Sequence, residues 1–512
     1  MGARSARAGA PGAVTDAHPD RCAPAFAPEF WAVLIAAFGL RLGVALAVPN
    51  IHWPDEIYQV MEPAHRLVFG TGAVSWEWVA GIRSWLLPGA VAALMEVGRA
   101  LGALPARINL PVAVAFAAAG CVPVACAYRW GRAPGRAAAC AAAVVAATWI
   151  DLVYMSGHPL TEVAAADCLP AALYLGLKRG GTFASRHRLW LAGALLGLTF
   201  VLRFHLGPAL AVAAFGMCGV GRGAWPRWRA AIAGACAPVL TAALLDWATL
   251  GTPFQSIWLN VWVNTAMGVS SEAGRAPFLT LWILPLEIWG TIGFLAVLVT
   301  ALLGARRFPW LLAVALAILV THSLIPHKEY RFTYPAIVLL TILAGLGTAE
   351  LIGTVAPRRA AIAAMAAAIL WCGLSYSVAQ SAIFRVPWTR ERAQLDAFAA
   401  VSRRGDACGL GLLGLWWMKT PGQSWLPPDV MLHQLAGASE SSAGFNYILA
   451  SARRNPGAPF ARLGCFDGDG GQVRLCLWRR DGGCSGAAPP LPVNWPQALR
   501  PTPPQPEGDA DE

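Results

Sequence analysis

Repeated apolar runs are the feature of this sequence that most limits its fold. They follow one another between residues 29 and 380, and each is as long as a bilayer requires or nearly so. Inside hydrocarbon every backbone polar group needs an internal partner, so we expect these runs to be α-helices. The eleven predicted spans are 29–49, 109–128, 137–154, 161–177, 189–204, 206–220, 230–250, 279–303, 309–325, 333–352 and 360–380.

The composition supports a membrane protein. The chain has 512 residues, of which 57% are hydrophobic and only 13% are charged, whereas a soluble domain carries about 25% charged residues. A net charge of +11 is also compatible with nucleic-acid binding. However, the arginines lie in short loops between apolar runs, and the sequence has no basic-aromatic nucleic-acid motif. The charge is therefore better explained by membrane topology.

Two parts of this membrane region leave alternatives open. The runs 161–177, 189–204 and 206–220 are short, so a merged or re-entrant arrangement is an alternative to three separate spans. Segment 85–101 is apolar but contains Pro88, Glu96 and Arg99. We interpret it as an interfacial helix rather than as a span.

The distribution of arginine predicts the orientation of the chain. With the N-terminus in the cytoplasm, every second loop is short and basic, as the positive-inside rule requires. The basic loops contain Arg129, Arg132 and Arg136; Lys178, Arg179, Arg186 and Arg188; Arg222, Arg227 and Arg229; Arg306 and Arg307; and Arg358 and Arg359. The predicted outer segments are 50–108, 155–160, the turn at 203–205, 251–278 and 326–332.

The two ends of the chain differ from the membrane region. Residues 1–28 are rich in Ala, Gly, Pro and Arg, and we expect a disordered cytoplasmic segment rather than a cleaved signal peptide. Residues 381–496 contain no apolar run that could span a bilayer and predict a soluble domain on the outer side. The Pro-rich, acidic tail 497–512 is expected to be disordered.

The C-terminal domain contains a group of cysteines. In an oxidising compartment these residues could form disulfides, although the sequence leaves their pairing open. Their spacing does not match a zinc site. The group consists of Cys408, Cys465, Cys476 and Cys484.

A first polar cluster follows the first span, at His52-Trp53-Pro54-Asp55-Glu56. Asp55, Gln59, Glu62 and Arg66 have the spacing of a single helical face, but Pro63 removes the bond back to residue 59 and favours a kink or a new helix start. A helix-capping Asp with a solvated face is the alternative to a catalytic role.

A second polar cluster is the segment His327-Lys328-Glu329-Tyr330-Arg331-Phe332, which separates the runs 309–325 and 333–352. Hydrocarbon cannot solvate these charges, so they must lie at the membrane surface or in a protein-lined cavity. Cations at head-group depth suit an anionic lipid phosphate. Snorkelling to bulk lipid head groups is the alternative.

Weaker candidates occur at other outer junctions. His158 and Glu162 flank one junction, Arg203 and His205 another, and each pair has a plain structural alternative as a turn, a helix start or a snorkelling cation. Asn260 and Asn264 could contact a polar substrate, although local capping is the more ordinary role. Of the 23 tryptophans, only Trp76 and Trp78 are candidates for a substrate-binding platform, with interface anchoring as their alternative.

Three ordered motifs resemble glycosyltransferase family 22, the lipid-phosphate-mannose-dependent α-mannosyltransferases, closest in type to the GPI mannosyltransferase III group. They are His52 with Pro54-Asp55-Glu56, Gln59, Glu62 and His65; Ser75-Trp76-Glu77-Trp78 with Ile82-Arg83-Ser84; and His327-Lys328-Glu329-x-Arg331-Phe332. The resemblance covers roughly residues 30–380. The chain departs from the pattern at Trp53, at Pro63 and at Gly274-Arg275-Ala276-Pro277-Phe278. These departures bear on the identity of the acceptor more than on the chemistry of the donor.

The resemblance implies an all-α polytopic protein of the GT-C type, with about eleven transmembrane helices and a small C-terminal outer-side soluble domain. It implies transfer of mannose from a polyprenyl-phosphate-mannose donor to a glycan or glycolipid acceptor with inversion, forming an α-mannoside. Asp55 would be the base, with Glu56 as an alternate or positioning partner. His327, Lys328 and Arg331 would bind the donor phosphate, with Glu329 orienting them. Possible substrate contacts are His52, Gln59, Glu62, His65, Trp76, Trp78, Arg83, His158, Glu162 and Arg203.

The chemistry requires no cofactor, and Mg²⁺ or Mn²⁺ held by Asp55 and Glu56 stays an open alternative. The other functional hypotheses are a transporter, a noncatalytic lipid-binding protein, and a GT-C transferase for another lipid-linked sugar. A transporter should show charges near the middle of the bilayer, whereas here they gather at one surface. Abundant Ala, Arg and Gly favour a bacterial plasma membrane with a periplasmic or extracellular site. In a eukaryote the same topology would face the ER lumen.

Overall fold

The computed structural model describes residues 27–102, 108–178, 181–437, 442–468, 471–486 and 491–500. Helices form this chain up to residue 402. They are α1 Pro28–Ala47, a π-helix Glu56–Met61, α2 Glu62–Phe69, α3 Trp76–Val79, α4 Leu86–Ala100, α5 Leu110–Ala119, α6 Val122–Trp130, α7 Arg136–Thr148, α8 Ile150–Met155, α9 Thr161–Gly176, α10 Arg186–Leu202, α11 Gly207–Cys218, α12 Trp225–Leu250, α13 Gln255–Val261, α14 Val269–Glu272, α15 Thr280–Ala305, α16 Pro309–Ser323, α17 Tyr334–Val355, α18 Ala360–Ala379, α19 Ala382–Thr389 and α20 Arg392–Ser402.

Each of the eleven predicted runs coincides with one or two of these helices. Among the described residues, six helices are long and apolar enough to cross a membrane: Pro28–Ala47, Leu110–Trp130, Arg222–Leu250, Thr280–Ala305, Tyr330–Val355 and Pro357–Ala379. The protein is therefore a multi-pass membrane protein, and the total of eleven spans stays a prediction. The short runs after residue 160 form the separate helices α9, α10 and α11. The expected interfacial segment forms the helix α4.

Helix α17 lies at the centre of the bundle. Its side chains are buried on nearly every face, and it packs against α7, α9, α15 and α16. A helix that is apolar all round is expected to be buried in this way. The polar cluster 327–332 directly precedes this helix, so it enters the structure at a rigid central position.

A break in one membrane helix is stabilised by a buried arginine. The chain leaves helical geometry at Trp149, between α7 and α8. Arg41 of α1 donates to the carbonyl oxygens of Ala146 and Ala147, at 3.0 and 2.9 Å, and Ser375 donates to that of Thr148 at 2.6 Å. These bonds satisfy carbonyls that the helix end leaves unpaired.

The C-terminal domain contains a five-stranded mixed sheet, so the predicted all-α class holds for the membrane region and not here. The strands are β1 Gly409–Leu413, β2 Met431–Leu435, β3 Tyr447–Ser451, β4 Ala461–Gly468 and β5 Val473–Arg479, in the order β2-β1-β3-β5-β4. β1 is parallel to β2 and β3, and β5 is antiparallel to β3 and β4.

Two disulfides close the C-terminal domain. Cys408, directly before β1, pairs with Cys484, which follows β5. Cys465 on β4 pairs with Cys476 on β5. The domain packs directly on the segment that follows α1, where Tyr58 donates to the carbonyl oxygen of Thr420 at 2.9 Å.

Both predicted disordered ends lie largely outside the described residues. Residues 1–26 and 501–512 are not described. Within the predicted tail, Gln497–Leu499 forms a 3-10 turn. Disorder of the tail stays a prediction.

Candidate active site

A π-helix sets the direction of the side chains that follow the first span. It runs from Glu56 to Met61, and the N–H of Glu62 bonds to the carbonyl oxygen of Ile57 five residues earlier. Pro63 is the second residue of α2 and has no N–H to offer to Gln59, which explains the widened turn. The predicted single face is therefore not kept: Asp55 and Gln59 face a cavity, whereas Glu62 is buried elsewhere.

The cavity that contains Asp55 has a volume of about 770 Å³. Its walls come from parts of the chain that are far apart in sequence: the first outer loop, the turn after α10, the loop around α14, the polar cluster 327–332 and the C-terminal segment. The residues that bring polar or aromatic groups to it are Trp53, Asp55, Gln59, Trp76, Glu77, Arg83, Arg203, Phe204, His205, Asn260, Asn264, Thr265, Ser270, Ser271, Glu272, His322, His327, Glu329, Arg331, Phe332 and Asn494.

Arg331 joins the two polar clusters that the sequence analysis singled out. Its guanidinium contacts Asp55 at 2.6 Å, Glu329 at 2.5 Å and Glu162 at 3.3 Å. Glu162 also pairs with Arg203 at 3.2 Å. The structure thus brings together five predicted site residues in one alternating chain of charges.

Glu56 points away from this chain of charges. One carboxylate oxygen accepts from the backbone N–H of His52 and the other contacts Nδ1 of His158, both at 2.7 Å. Glu56, His158 and Tyr154 line a second, largely apolar cavity of about 380 Å³. Because Asp55 and Glu56 face different cavities, their geometry does not support a metal ion held jointly by the two carboxylates.

Glu329 bridges the histidine and the arginine of the second cluster. It contacts Nε2 of His327 at 2.7 Å through one oxygen and Nε of Arg331 through the other. The hydrogen bond to Glu329 raises the pKa of His327 above its ordinary value. Burial acts to raise the pKa of Glu329, but its bonds with His327 and Arg331 outweigh burial and lower it.

Other members of the second cluster are held by their surroundings. Tyr330 donates to Asp151 at 2.8 Å, and Trp289 donates to the other oxygen of the same carboxylate at 2.8 Å. Lys328 donates to the carbonyl oxygens of Ala276 and Ile325, at 2.8 and 2.7 Å. Lys328 does not line the cavity, unlike His327 and Arg331.

Several predicted substrate residues line the cavity and others do not. Gln59 donates to Glu77 at 3.0 Å, and Arg83 lies 3.6 Å from the same oxygen. His65 contacts the carbonyl oxygen of Thr71 at 2.6 Å, and Trp78 donates to that of Tyr58 at 3.0 Å. Gln59, Trp76, Arg83 and Arg203 are therefore at the cavity, whereas His52, Glu62, His65, Trp78, His158 and Glu162 are not among its lining residues.

Glu62 and His52 are buried, and burial shifts the pKa of each. Glu62 accepts from the backbone N–H of Ala73 at 2.5 Å and of Ser424 at 2.6 Å, so it connects the first loop to the C-terminal domain. Burial raises its pKa. Burial, and next the neighbouring His158, hold the pKa of His52 well below its usual range.

The cavity contains polar atoms without a hydrogen-bond partner among the described residues. Among them are Nε of Arg203, Nδ1 of His205 and Nε2 of His322, and these three side chains all line the cavity. Buried groups of this kind are normally paired, so their presence around one cavity favours a polar ligand there. Of the three, sequence reasoning missed His322, which is hidden inside an otherwise apolar run.

Trp53 was noted only as an insertion, and the structure gives it a place at the site. Its ring lies 5.5 Å from the guanidinium carbon of Arg331 and 5.4 Å from that of Arg390. Asn494 was also missed, because the predicted domain around it carried no recognisable motif. A single aromatic insertion and a single amide in a loop carry no periodic signal that could identify them.

Comparison with known proteins identifies the family of the chain. The sequence model of the Alg9-like mannosyltransferase family matches residues 31–404. GPI mannosyltransferase 3 from Yarrowia lipolytica is 28% identical over 348 residues, which is 61% of this chain and 61% of that protein. The enzyme of the same name from Drosophila melanogaster is 40% identical over 65 residues, covering 13% of this chain and 12% of its own length. The chain thus aligns with less than two thirds of either relative.

The fold also has a counterpart among solved structures. ArnT from Cupriavidus metallidurans, in a crystal structure bound to undecaprenyl phosphate, superposes with a TM-score of 0.58 at 14% identity, covering 90% of this chain and 100% of that one. This likeness concerns the fold, and it confirms the GT-C architecture that the motifs implied. The family match extends to residue 404 and leaves out the sheet and the C-terminal segment.

Proposed function

This chain belongs to the Alg9-like mannosyltransferase family, and from that premise we propose that it transfers mannose from a polyprenyl-phosphate-mannose donor to a hydroxyl group of a glycan or glycolipid acceptor. The reaction inverts the anomeric carbon and yields an α-mannoside. The observation that carries the proposal is the pair of Asp55 and Arg331 in the large outer cavity. It puts a proton acceptor and a cation for a phosphate side by side.

Asp55 is the proposed general base. Arg331 holds Oδ2 at 2.6 Å, and no hydrogen bond among the described residues uses Oδ1. Oδ1 would take the proton of the acceptor hydroxyl while that oxygen attacks C1 of mannose. The bond from C1 to the phosphate oxygen breaks, and its electron pair leaves with the polyprenyl phosphate. Glu56, with both oxygens occupied, is a positioning residue.

The leaving phosphate needs cations and hydrogen-bond donors. Arg331 is one of them, and the wall of Arg203, His205 and His322 offers the unpartnered nitrogen atoms described above. His327 lines the same cavity and carries a raised pKa. We therefore assign donor binding first to Arg331 and Arg203, and give Lys328 the supporting role of holding the turn before α17.

The compartment follows from the cysteines. Disulfides form and persist in oxidising compartments, and both pairs are formed in the domain that covers the first loop. The active site would therefore face the periplasm or exterior of a bacterium, or the ER lumen of a eukaryote. The structure of ArnT with undecaprenyl phosphate is an example of a polyprenyl phosphate on this fold.

The decisive test is transfer by the purified protein in detergent or liposomes. Radiolabelled polyprenyl-phosphate-mannose would be offered with a panel of mannosides, and the product treated with α-mannosidase. We expect an α-linked product that depends on Asp55. Transfer from another lipid-linked sugar, with none from the mannose donor, would reassign the substrate. No transfer from any lipid-linked sugar to any acceptor would overturn the proposal.

A further inference from the structure

The segment 491–500, here called the C-terminal strap, forms part of the cavity wall although it lies outside the family match. Asn494 and Pro496 both line the cavity that contains Asp55. The matched family region ends at residue 404, so this wall is a feature of the chain's own C-terminal domain. A contribution from this domain to the site is not implied by the family motifs.

The C-terminal strap is bonded to both neighbouring walls. The backbone N–H of Trp76 donates to Oδ1 of Asn494 at 3.0 Å. Both oxygens of Glu272 accept from the strap, from the N–H of Gln497 at 2.7 Å and that of Ala498 at 2.8 Å. Leu499 packs on a small apolar cluster that joins the first loop to the loop around α14. The strap is therefore a fixed element of the cavity.

Asn494 has hydrogen-bonding capacity left for a ligand. Its carbonyl oxygen is engaged by Trp76, whereas no hydrogen bond among the described residues uses its amide nitrogen. An amide nitrogen carries two donors. The side chain is partly buried and lines the cavity, so these donors are available to a molecule inside it.

The surroundings of Asn494 suit a sugar better than a phosphate. Neutral amides and hydroxyls of Asn264, Ser270 and Ser271 line the same cavity together with the ring of Trp76. The carboxylate of Glu272 is already used by the strap. Of the arginines at the cavity, Arg203 and Arg331 pair with Glu162, and Arg83 lies 3.6 Å from Glu77. Neutral polar groups beside an aromatic ring recognise sugar hydroxyls, whereas cations recognise phosphate.

We propose that Asn494 is a specificity-determining residue for the acceptor and that its amide donates to a hydroxyl of the acceptor sugar. The proposal rests on the proposed glycosyl transfer. It assigns to the C-terminal domain a direct part in choosing the acceptor, in addition to covering the first loop.

The test compares Asn494→Asp and Asn494→Ala with the wild-type protein. Aspartate keeps the oxygen that accepts from Trp76 but loses the donors, so the anchoring of the strap is retained. Both variants should raise KM for an alkyl α-mannoside acceptor about 2- to 10-fold and leave KM for polyprenyl-phosphate-mannose unchanged. Gln497→Ala is the matched control, because the exposed Gln497 takes part through its backbone N–H.

Deoxy acceptors identify the hydroxyl. The acceptors are alkyl mannosides that lack the hydroxyl at C2, C3, C4 or C6. One of them should bind the wild-type protein more weakly than the parent mannoside does. With Asn494→Ala, the parent mannoside and this deoxy compound should bind equally, because the contact is already lost. If wild-type transfer is normal and each deoxy acceptor loses the same factor with both proteins, the assignment of Asn494 is overturned. If the wild-type protein transfers nothing from any lipid-linked sugar, the proposed function itself fails, so the two failures are distinguishable.

Discussion

Arg331 donates a hydrogen bond of 2.6 Å from Nη2 to Oδ2 of Asp55, although the two residues are 276 positions apart in the chain. This bond fixes one oxygen of the carboxylate and leaves the other for the cavity. The same guanidinium contacts Glu162 and Glu329, so a single buried cation orients three carboxylates. Substitutions at Asp55 and Arg331 should therefore have different consequences, the first for proton transfer and the second for the whole assembly.

We predict that Asp55→Asn lowers the transfer rate about 10²- to 10⁴-fold, because an amide cannot take the proton of the acceptor hydroxyl. The carbonyl oxygen of Asn can still accept from Arg331, so folding and donor binding should be retained. Glu96→Gln, which alters an exposed ion pair with Arg99, is the matched control. Near-normal turnover of Asp55→Asn together with an inactive Glu56→Gln variant would move the base to Glu56.

Arg331→Lys should weaken donor binding about 10- to 100-fold, because lysine cannot form a planar fork and leaves Glu162 or Asp55 without its contact. Lys328→Gln should have a smaller effect, since Lys328 donates to two carbonyl oxygens and does not line the cavity. Binding of polyprenyl-phosphate-mannose and of a soluble mannoside would be measured separately. Equal donor affinity of Arg331→Lys and wild type would remove Arg331 from the donor site.

The ion pair of His327 and Glu329 predicts a pH dependence. Its hydrogen bond to Glu329 raises the pKa of His327, and the stabilisation it contributes is complete below the ordinary histidine pKa of about 6.5 and is lost as pH rises through the raised value. The pKa of Glu329 is lowered, so the stabilisation that its carboxylate contributes is lost as pH falls through the lowered pKa.

NMR titration of ¹⁵N-labelled histidine measures this effect. Glu329→Gln should shift the midpoint of His327 to lower pH, toward the ordinary value, and the His327→Gln variant identifies its signal. A midpoint that does not move in Glu329→Gln would show that the carboxylate does not control the protonation of His327.

The two disulfides should contribute unequally to the stability of the C-terminal domain. Cys408 and Cys484 are 76 positions apart, whereas Cys465 and Cys476 are 11 apart. In the chain-entropy model, losing the longer link costs about 4.5 kcal/mol and losing the shorter one about 3 kcal/mol. Denaturant unfolding of the Cys408→Ser/Cys484→Ser and Cys465→Ser/Cys476→Ser proteins, followed by tryptophan fluorescence, would measure both. The opposite order would contradict the entropic account.

The sequence predicted those features that depend on local patterns. Apolar runs located the membrane helices because hydrocarbon requires continuous apolar segments. The motif around Asp55 and the motif around Arg331 indicated the two halves of the site, which the structure joins. Their direct contact could not be deduced, since nothing in either motif specifies the distance across the fold.

Features set by tertiary contacts were not predictable. Asp55 and Glu56 are neighbours in sequence, but successive residues on a helix point about 100° apart, so one faces the large cavity and the other the small one. The strands β1, β2 and β3 have only five residues each, and β1 is the sequence Gly-Leu-Gly-Leu-Leu, which has no polar alternation. Asn494 reaches the cavity only through the path of the strap.

Glu62 tests whether the motif or the tertiary contacts give the role of a residue. The motif indicated a substrate contact, whereas in the structure Glu62 connects the first loop to the C-terminal domain. Its two oxygens accept from the N–H groups of Ala73 and Ser424, one in the first loop and one in the C-terminal domain. A glutamine at this position has only one oxygen, so one buried N–H would face an amide that cannot accept. Glu62→Gln should therefore lower the free energy of unfolding by about 1–3 kcal/mol.

The same variant should leave KM for donor and acceptor unchanged in the fraction that stays folded, since Glu62 does not line the cavity. Thermal unfolding monitored by size-exclusion chromatography gives the first quantity, and steady-state transfer below the unfolding temperature gives the second. Glu77→Gln is the matched comparison, because Glu77 lies at the cavity and bonds to Gln59. Glu77→Gln should change KM. If Glu62→Gln were as stable as the wild type but changed KM, the motif-based assignment of Glu62 to the substrate would be correct and its connecting role would be wrong.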